Sequence, residues 1–442
     1  MFEKLKYHPL IYIAFHLGLG FIGTNNIVMK VICLLVLFVG VYSIYINRNK
    51  NEEAFLWACY FTGAEVFFRM TKSPLSYEMG KYAVILMLLV GALVKSESQK
   101  FSISYFFYIF LLLLGIIFTD VPEGESMRIA IAFNLTGPIV LYISAFYFYR
   151  RYISRKKLLE GLFFMILPIF SMISYMYFRT PDLKEIVFRG SANFATSGGF
   201  GPNQVATIIG VGMFILALFL FINKKLSGYQ IIDVFFMIYF TYRGLLTFSR
   251  GGIFTGVIAF FIFVFFMFLN NKNIIITVAK YFGISFVGLI AIWLYTSGVT
   301  GGMLDNRYTG KSSSGVQKED VTSGRIDIIL NQFESFAESP WFGIGVGNGK
   351  YKRIESDEHI TAASHNEITR LIEEHGLMGI IILLILLTVP LVNFISSNNY
   401  QRAFIISFYA LWFLTIGHSG MRIAFPGFIY GLSLIKIVKD EE

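Results

Sequence analysis

The sequence predicts an all-α polytopic membrane protein of about fourteen transmembrane helices. Three observations carry that expectation. Hydrophobic residues make up 55% of the 442-residue chain and charged residues only 15%, against roughly 25% charge in soluble domains. Apolar runs of ~20 residues, enough to cross a bilayer, recur along nearly the whole chain. The charged residues between those runs fall into two sets of different character.

The expected spans are 9–24, 27–46, 53–69, 80–95, 101–119, 127–149, 158–178, 203–222, 229–247, 251–269, 274–297, 376–397, 401–417 and 422–438. The first is short and Gly-rich. Thr24-Asn25-Asn26 and Asn270-Asn271-Lys272-Asn273 are too polar for hydrocarbon and break the pattern. The aromatic run Phe254 to Phe268 suits a lipid-facing helix.

When spans alternate, one set of connections gathers Lys4 and Lys6, Arg48 and Lys50, Lys95 and Lys100, Arg150 to Lys157, Lys224 and Lys225, Lys272, Arg402, and Lys436 and Lys439. The positive-inside rule assigns that side, with both termini, to the cytoplasm. The net charge of +9 is then topogenic. Nucleic-acid binding would need a solvated basic domain, which the sequence does not offer. No small-residue cleavage site follows the first apolar run, so no cleaved signal peptide is expected. Cys33 and Cys59 fall inside spans and form no C-x-x-C motif; they read as core or lipid-facing thiols.

The opposite set holds the acidic turn Asp120 to Glu125 and two long segments. The chain is therefore expected to comprise a bundle at 1–297 with an outer loop at 179–202, an extracytoplasmic segment at 298–375, and C-terminal spans at 376–442. The first outer loop ends in Gly198-Gly199-Phe200-Gly201-Pro202, where glycines permit sharp turns and Pro202 suits a first helical turn. In the second, 298–324 is rich in Gly, Ser and charge and reads as a mobile loop. Ile326, Ile329, Leu330, Phe333 and Phe336/Ala337 predict an amphipathic helix over 323–338, with Ser323 as N-cap. Ser364 to Glu374 predicts a second, opened by His365, with Ile368, Leu371 and Ile372 apolar. These helices are expected to roof a cavity. No internal repeat is visible.

Arg69, Arg179, Arg189, Arg243, Arg250, Arg325 and Arg422 all fall on the non-cytoplasmic half, against the positive-inside trend. A single arginine there could be snorkelling or internally paired. Several converging guanidiniums would suit a membrane substrate with an outward-facing diphosphate, because the planar fork matches phosphate oxygens. His365 is a candidate proton acceptor near neutral pH, though a surface histidine without a role has similar standing from spacing alone. His375 lies ten residues on, not at the i, i+4 spacing of paired zinc ligands, and no Asp/Glu/His cluster has metal spacing. Gly343-Ile344-Gly345-Val346-Gly347 follows no strand and precedes no Lys-Ser/Thr, so it is not read as a nucleotide loop.

Four segments together resemble the O-antigen ligase and O-antigen polymerase (Wzy/WaaL-like) family of bacterial membrane glycosyltransferases. They are Arg189 with Gly199-Phe200-Gly201-Pro202-Asn203, and Thr247-Phe248-Ser249-Arg250-Gly251-Gly252. Next comes Ser323-Gly324-Arg325 with Pro340 and Gly343 to Gly347. Last is His365-Asn366 with Glu374-His375-Gly376-Leu377-Met378-Gly379. The likeness covers about the last 260 residues, and each piece is weak without the others.

The resemblance implies a GT-C-like helical membrane fold in the bacterial inner membrane, with the site on the periplasmic face. It implies an undecaprenyl (polyprenyl) diphosphate-linked glycan donor, a glycan or glycolipid acceptor, no cofactor and no metal ion. Carried over by position, His365 would be the catalytic base, and Arg250 and Arg325 would bind the donor diphosphate. Arg189 is a looser match, and Arg243 and Arg69 are assigned to the donor by topology. Asn203, Asn366, Glu374 and Arg422 would support them. Polymerisation of O-antigen or other surface-polysaccharide repeat units is favoured, with a chain-length regulator as a further partner. Ligation to the lipid A core of lipopolysaccharide, protein O-glycosylation and, in a different class, a glycolipid flippase remain alternatives. A flippase would not explain a large outer segment carrying a histidine. A cell-wall polymerase would need a catalytic Asp there, and none stands out.

Overall fold

The computed structural model describes residues 8–94, 100–188, 191–271, 275–318, 320, 322, 324–355 and 364–438. In chain order the helices are α1 (Pro9–Ile22), α2 (Asn26–Ile46), α3 (Glu53–Met70), α4 (Met79–Val94), α5 (Ile103–Leu114), α6 (Met127–Phe148), α7 (Arg155–Arg179), α8 (Pro202–Phe221) and α9 (Gln230–Leu246). They continue as α10 (Arg250–Asn270), α11 (Ile275–Val299), α12 (Met303–Tyr308), α13 (Arg325–Glu338), α14 (Gly349–Glu355), α15 (Glu367–His375), α16 (Leu377–Ile395), α17 (Asn399–His418) and α18 (Ala424–Leu432). The starts follow local chemistry. The Asn25 and Ser126 side chains accept the free amides that open α2 and α6, and Pro202 occupies the first turn of α8.

Six of these helices (α2, α6, α7, α8, α10 and α16) are long and apolar enough to cross a membrane. Others fall short by length or by charge: α9 has 17 residues, and α3 carries Glu53, Glu65 and Arg69. α7 and α8 are buried at the centre, whereas α2 lies at the periphery with Phe38, Tyr42 and Tyr45 exposed. α10 does not face lipid along its whole run. Phe254, Phe261 and Phe265 are exposed, but Phe263 is buried. Cys33 and Cys59 are buried and unpaired.

Two expectations change. The segment 422–438 is not one long span. It is the nine-residue α18 followed by β2 (Lys436–Val438), which pairs in parallel with β1 (Tyr152–Ser154). Every residue of α18 is buried, and a Cβ on Gly427 would stand 2.7 Å from the Leu141 amide of α6. High hydropathy here reports enclosure by protein, and the segment needs no spanning length. The strand pair is also the one departure from an all-helical fold apart from an isolated bridge between Lys311 and Gln317, among the described residues.

The connections that sequence alternation placed on one side do meet at one end of the bundle. Arg151 pairs with Glu52 at 2.9 Å, and Lys436 Nζ donates to Ser396 Oγ at 2.9 Å. Asn399 Nδ2 donates to the Leu269 carbonyl at 3.3 Å. The long segments gather at the opposite end. There the backbones of α8 and α10 touch. A Cβ on Gly210 would lie 2.1 Å from the Gly252 carbonyl, and one on Gly252 would lie 2.3 Å from the Thr207 amide. Small residues at a helix crossing allow the close backbone packing that holds membrane helices together, and here they fix the first turn of α10 against α8.

Candidate active site

The corner between α9 and α10 is built by its own side chains. Thr247 Oγ1 donates to the Gly244 carbonyl at 2.7 Å and accepts the Ser249 amide at 3.1 Å. Phe248 takes φ +56°, a left-handed conformation that costs a bulky residue on the order of 1–2 kcal/mol. Its buried ring, stacked on Phe188 at 5.4 Å, holds it there. The turn presents the Phe248 carbonyl to Arg307 Nε at 3.1 Å, and Arg250 Nη1 donates to the Arg307 carbonyl at 3.3 Å.

Arg307 lies on α12, inside the stretch expected to be a mobile loop. That expectation fails for 303–308. Asp305 accepts from Trp293 Nε1 at 2.7 Å and from the Ser297 hydroxyl. Leu304 packs with Leu245 and Phe248 in a small core of its own. Composition marked the segment as polar, but one aspartate and one leucine dock it.

Arg325 opens α13, with Gly324 at the cap in the left-handed region (φ +75°); Ser323, the expected cap, lies outside the described residues. Arg250, Arg307 and Arg325 are half-buried together. Burial and then the Arg250 and Arg325 guanidiniums press Arg307 below its usual pKa. Burial and then Arg250 do the same to Arg325. A guanidinium stays charged regardless. Among the described residues neither Arg250 nor Arg325 forms an ion pair.

His365 stands beside this cluster. It does not open α15 as expected; it precedes the cap, because Asn366 Oδ1 takes the Ile368 and Thr369 amides at 2.9 and 3.4 Å. Burial, followed by the positive Arg325 and Arg422 and by His418, lowers the His365 pKa to about 4. Its imidazole is therefore neutral at pH 7, and no described residue hydrogen-bonds its ring. Arg422 Nη2 donates to the Ser364 carbonyl at 2.7 Å, and its guanidinium lies 4.1 Å from the Phe133 ring centroid.

Asn203 and His418 complete the surroundings. Asn203 Oδ1 accepts from Ser249 Oγ at 2.8 Å, joining the Gly-Pro-Asn segment to the corner before Arg250. The Asn203 carbonyl accepts from Thr207 Oγ1 at 2.7 Å, and that oxygen is 3.4 Å from His418 Nε2. His418 Nδ1 is 2.8 Å from the Leu414 carbonyl, which sets Nδ1 as the donor and leaves Nε2 with the lone pair.

Other expected site residues are engaged elsewhere. Arg69 is buried, paired with Glu65 at 2.5 Å, and donates to the Arg422 carbonyl at 3.0 Å. Arg243 is buried and donates to Thr180 Oγ1 at 2.7 Å and the Thr196 carbonyl at 3.2 Å, clasping both ends of the loop between α7 and α8. Glu374 is ion-paired with Arg370 and accepts the Gly347 amide at 3.0 Å. Arg179 is exposed. Arg189 lies outside the described residues. In the glycine run the Ile344 and Gly345 amides bond to the Glu373 and Glu374 carbonyls at 3.0 and 3.1 Å. Gly343, Gly345 and Gly347 all have positive φ, so the run packs against α15.

Sequence reasoning missed Arg307 and His418. Arg307 was set aside with the loop that contains it. His418 ends a span at the same end as the arginines, and the position rule that singled those out would have found it. Among the described residues no group of three His, Cys, Asp or Glu is placed to hold a metal ion.

Two cavities bear on the site. One, of about 510 Å³, adjoins Ser364 and Arg422. The other, of about 430 Å³, is an aromatic cleft between α9 and α11 lined by Phe235, Tyr239, Tyr242, Ile292 and Tyr295. Ile292 also packs against the small core under α12.

Residues 234–384 match the family model described as O-antigen ligase. The match spans about a third of the chain. It takes in Arg243, Arg250, Arg307, Arg325, His365, Asn366 and Glu374. It supports the likeness to the O-antigen ligase and polymerase family over that segment. The family implies glycosyl transfer of the ligase or polymerase type in general, from a lipid-linked glycan donor to a glycan acceptor. With the apolar helices it points to a multi-pass membrane protein. No curated protein matches the chain.

Proposed function

We propose that the protein is an inverting, metal-independent glycosyltransferase that polymerises surface-polysaccharide repeat units, O-antigen among them, from a polyprenyl-diphosphate-linked donor. One observation carries the reading: among the described residues, a half-buried arginine cluster whose Arg250 and Arg325 have no counter-anion stands beside a neutral His365 whose ring has no hydrogen-bond partner. Burying a positive charge without a counter-anion is costly, and a diphosphate at Arg250 and Arg325 would relieve that cost.

In this reading Arg250, Arg307 and Arg325 hold the diphosphate, and the polyprenyl tail lies in the aromatic cleft between α9 and α11. His365 takes the proton of the acceptor hydroxyl. The hydroxyl oxygen bonds to the anomeric carbon from the face opposite the diphosphate. The carbon–phosphate-oxygen bond breaks with its electron pair going to the diphosphate, where the preorganised guanidiniums stabilise the charge. His418 and Asn203 position the surroundings. Arg69 and Arg243 act through the backbone they hold. The site end of the GT-C-like bundle faces the periplasm, and the termini lie in the cytoplasm.

The description of the matched family favours a second reading, ligation of the finished glycan to lipid A core. Reconstitution with a defined polyprenyl-diphosphate oligosaccharide separates the two. A ladder of lengthening lipid-linked glycans is expected. Transfer only after lipid A core is added would assign the ligase, and no glycosidic bond in either mixture would sink both readings.

A further inference from the structure

The cavity of about 510 Å³ is within the size range of small-molecule pockets, roughly 300–1,000 Å³. It is enclosed by the start of α6, by Gly347 with α14, and by α15. Its electrostatics differ in kind from those of the arginine cluster. Most of its buried charges are paired with one another: Arg353 with Glu373 at 2.9 Å, and Arg370 with Glu367 and Glu374; Arg422 is instead held on the Ser364 carbonyl and the Phe133 ring. Gln332 Nε2 donates to Glu373 at 2.8 Å, further satisfying that carboxylate. Such a lining offers many donors and acceptors, and most of its charge is already neutralised within the wall. It suits a neutral polyhydroxylated ligand, where the arginine cluster suits an anion.

The cavity also comes up to the residue before the proposed base. Ser364, the residue before His365, lines it, and Arg422 lines it while holding the Ser364 carbonyl. The charges of Arg325 in the anion cluster and of Arg422 in the cavity wall both act on His365. On the wall, Asn134 Nδ2 donates to the Ala130 carbonyl at 3.0 Å. Its side-chain oxygen has no partner among the described residues.

We propose that this cavity is the acceptor subsite and takes the uncharged terminal sugars of the acceptor glycan, presenting one hydroxyl to His365. The proposal rests on the glycosyltransferase reading. It divides the two substrates between two sides of His365: the anionic leaving group on the arginine cluster, the neutral nucleophile in the cavity.

The test uses the full chain in detergent or nanodiscs and two probes: inorganic pyrophosphate, and the neutral oligosaccharide cut from the donor of the transfer assay. Ile129 is exposed at the cavity wall, so Ile129→Trp fills the space without disturbing the core. Ile129→Trp is expected to weaken oligosaccharide binding and raise the acceptor KM at least about tenfold, leaving pyrophosphate binding unchanged. Arg325→Ala is expected to do the reverse to binding. Asn134→Ala, a smaller change, should raise the acceptor KM alone.

Oligosaccharide binding that ignores Ile129→Trp, or is absent from the wild type, overturns the subsite. If the wild type transfers and the cavity variants leave oligosaccharide binding and the acceptor KM unchanged, the subsite falls and the glycosyltransferase reading stands. If the wild type transfers nothing, both fall.

Discussion

At the scale of single residues, His365 can act as a base only when neutral, so its activity limb lies on the acid side. Its pKa is lowered to about 4, by burial first and then by Arg325, Arg422 and His418. A base with a depressed pKa is competent above that value and lost as pH falls through it. At sub-saturating donor the rate should therefore fall near pH 4. A diphosphate bound to Arg325 would offset one of the charges that hold the pKa down. At saturating donor the limb should then move up by roughly one unit or more. Superimposable profiles at low and high donor would count against the diphosphate sitting there. His365→Ala should lose ~10²–10⁴ of the transfer rate, the range for a general base, while pyrophosphate binding is kept; full activity in that variant would refute the mechanism. Arg250→Lys keeps the charge and loses the fork, so kcat/KM should drop at least about tenfold, or about 1.4 kcal/mol. Wild-type turnover there would mean that charge alone suffices.

At the scale of elements, the site depends on helices that cross without side chains between them. Gly252→Val places atoms where the Thr207 amide already lies 2.3 Å from a Cβ, so α8 and α10 must part. Overpacking of this kind costs about 1–3 kcal/mol or more. Because α10 carries Arg250, the melting temperature in detergent and the transfer rate should fall together. Gly345→Ala meets two obstacles, φ +88° and a Cβ 2.0 Å from the Phe118 carbonyl, and should also lower the melting temperature. Gly283→Ala in α11 meets nothing within 4 Å, so it should melt at or slightly above the wild type. Equal melting of all three would show that the close approaches carry no energy. The glycine run was legible as a motif but not in its role, since the partners of Gly343 and Gly345 are backbone atoms about thirty residues or more than two hundred residues away.

At the scale of the whole molecule, charges buried inside the bundle tie the site to the helices behind it. Glu65 pairs with Arg69, its other oxygen accepts the Ala424 amide at 2.5 Å, and Lys81 pairs with Glu78 at 2.6 Å. Removing one partner of a buried pair leaves the other uncompensated, at a cost of about 3–5 kcal/mol. Arg69→Ala should destabilise the protein strongly and loosen Arg422, whose carbonyl Arg69 holds. Adding Glu65→Gln should recover part of the melting temperature. Arg69→Ala with unaltered melting but lost donor binding would instead make Arg69 a direct donor ligand.

The sequence by itself determined the phase and the end. Hydropathy is a local property summed over some twenty residues, so the membrane helices and the two sets of connections can be read one window at a time. The motif residues Arg250, Arg325 and His365 could be named for the same reason: each sits in a short pattern of its own. Tertiary structure decided how the outer arginines are engaged. Arg69 and Arg243 share Arg250's end of the bundle, but Arg69 is taken up by Glu65 and the Arg422 carbonyl, and Arg243 by Thr180 and the Thr196 carbonyl. It also decided that 303–308 is docked and contributes Arg307, and that α18 is short because it is enclosed. Pairing and enclosure depend on groups far apart along the chain, and no local window contains both partners.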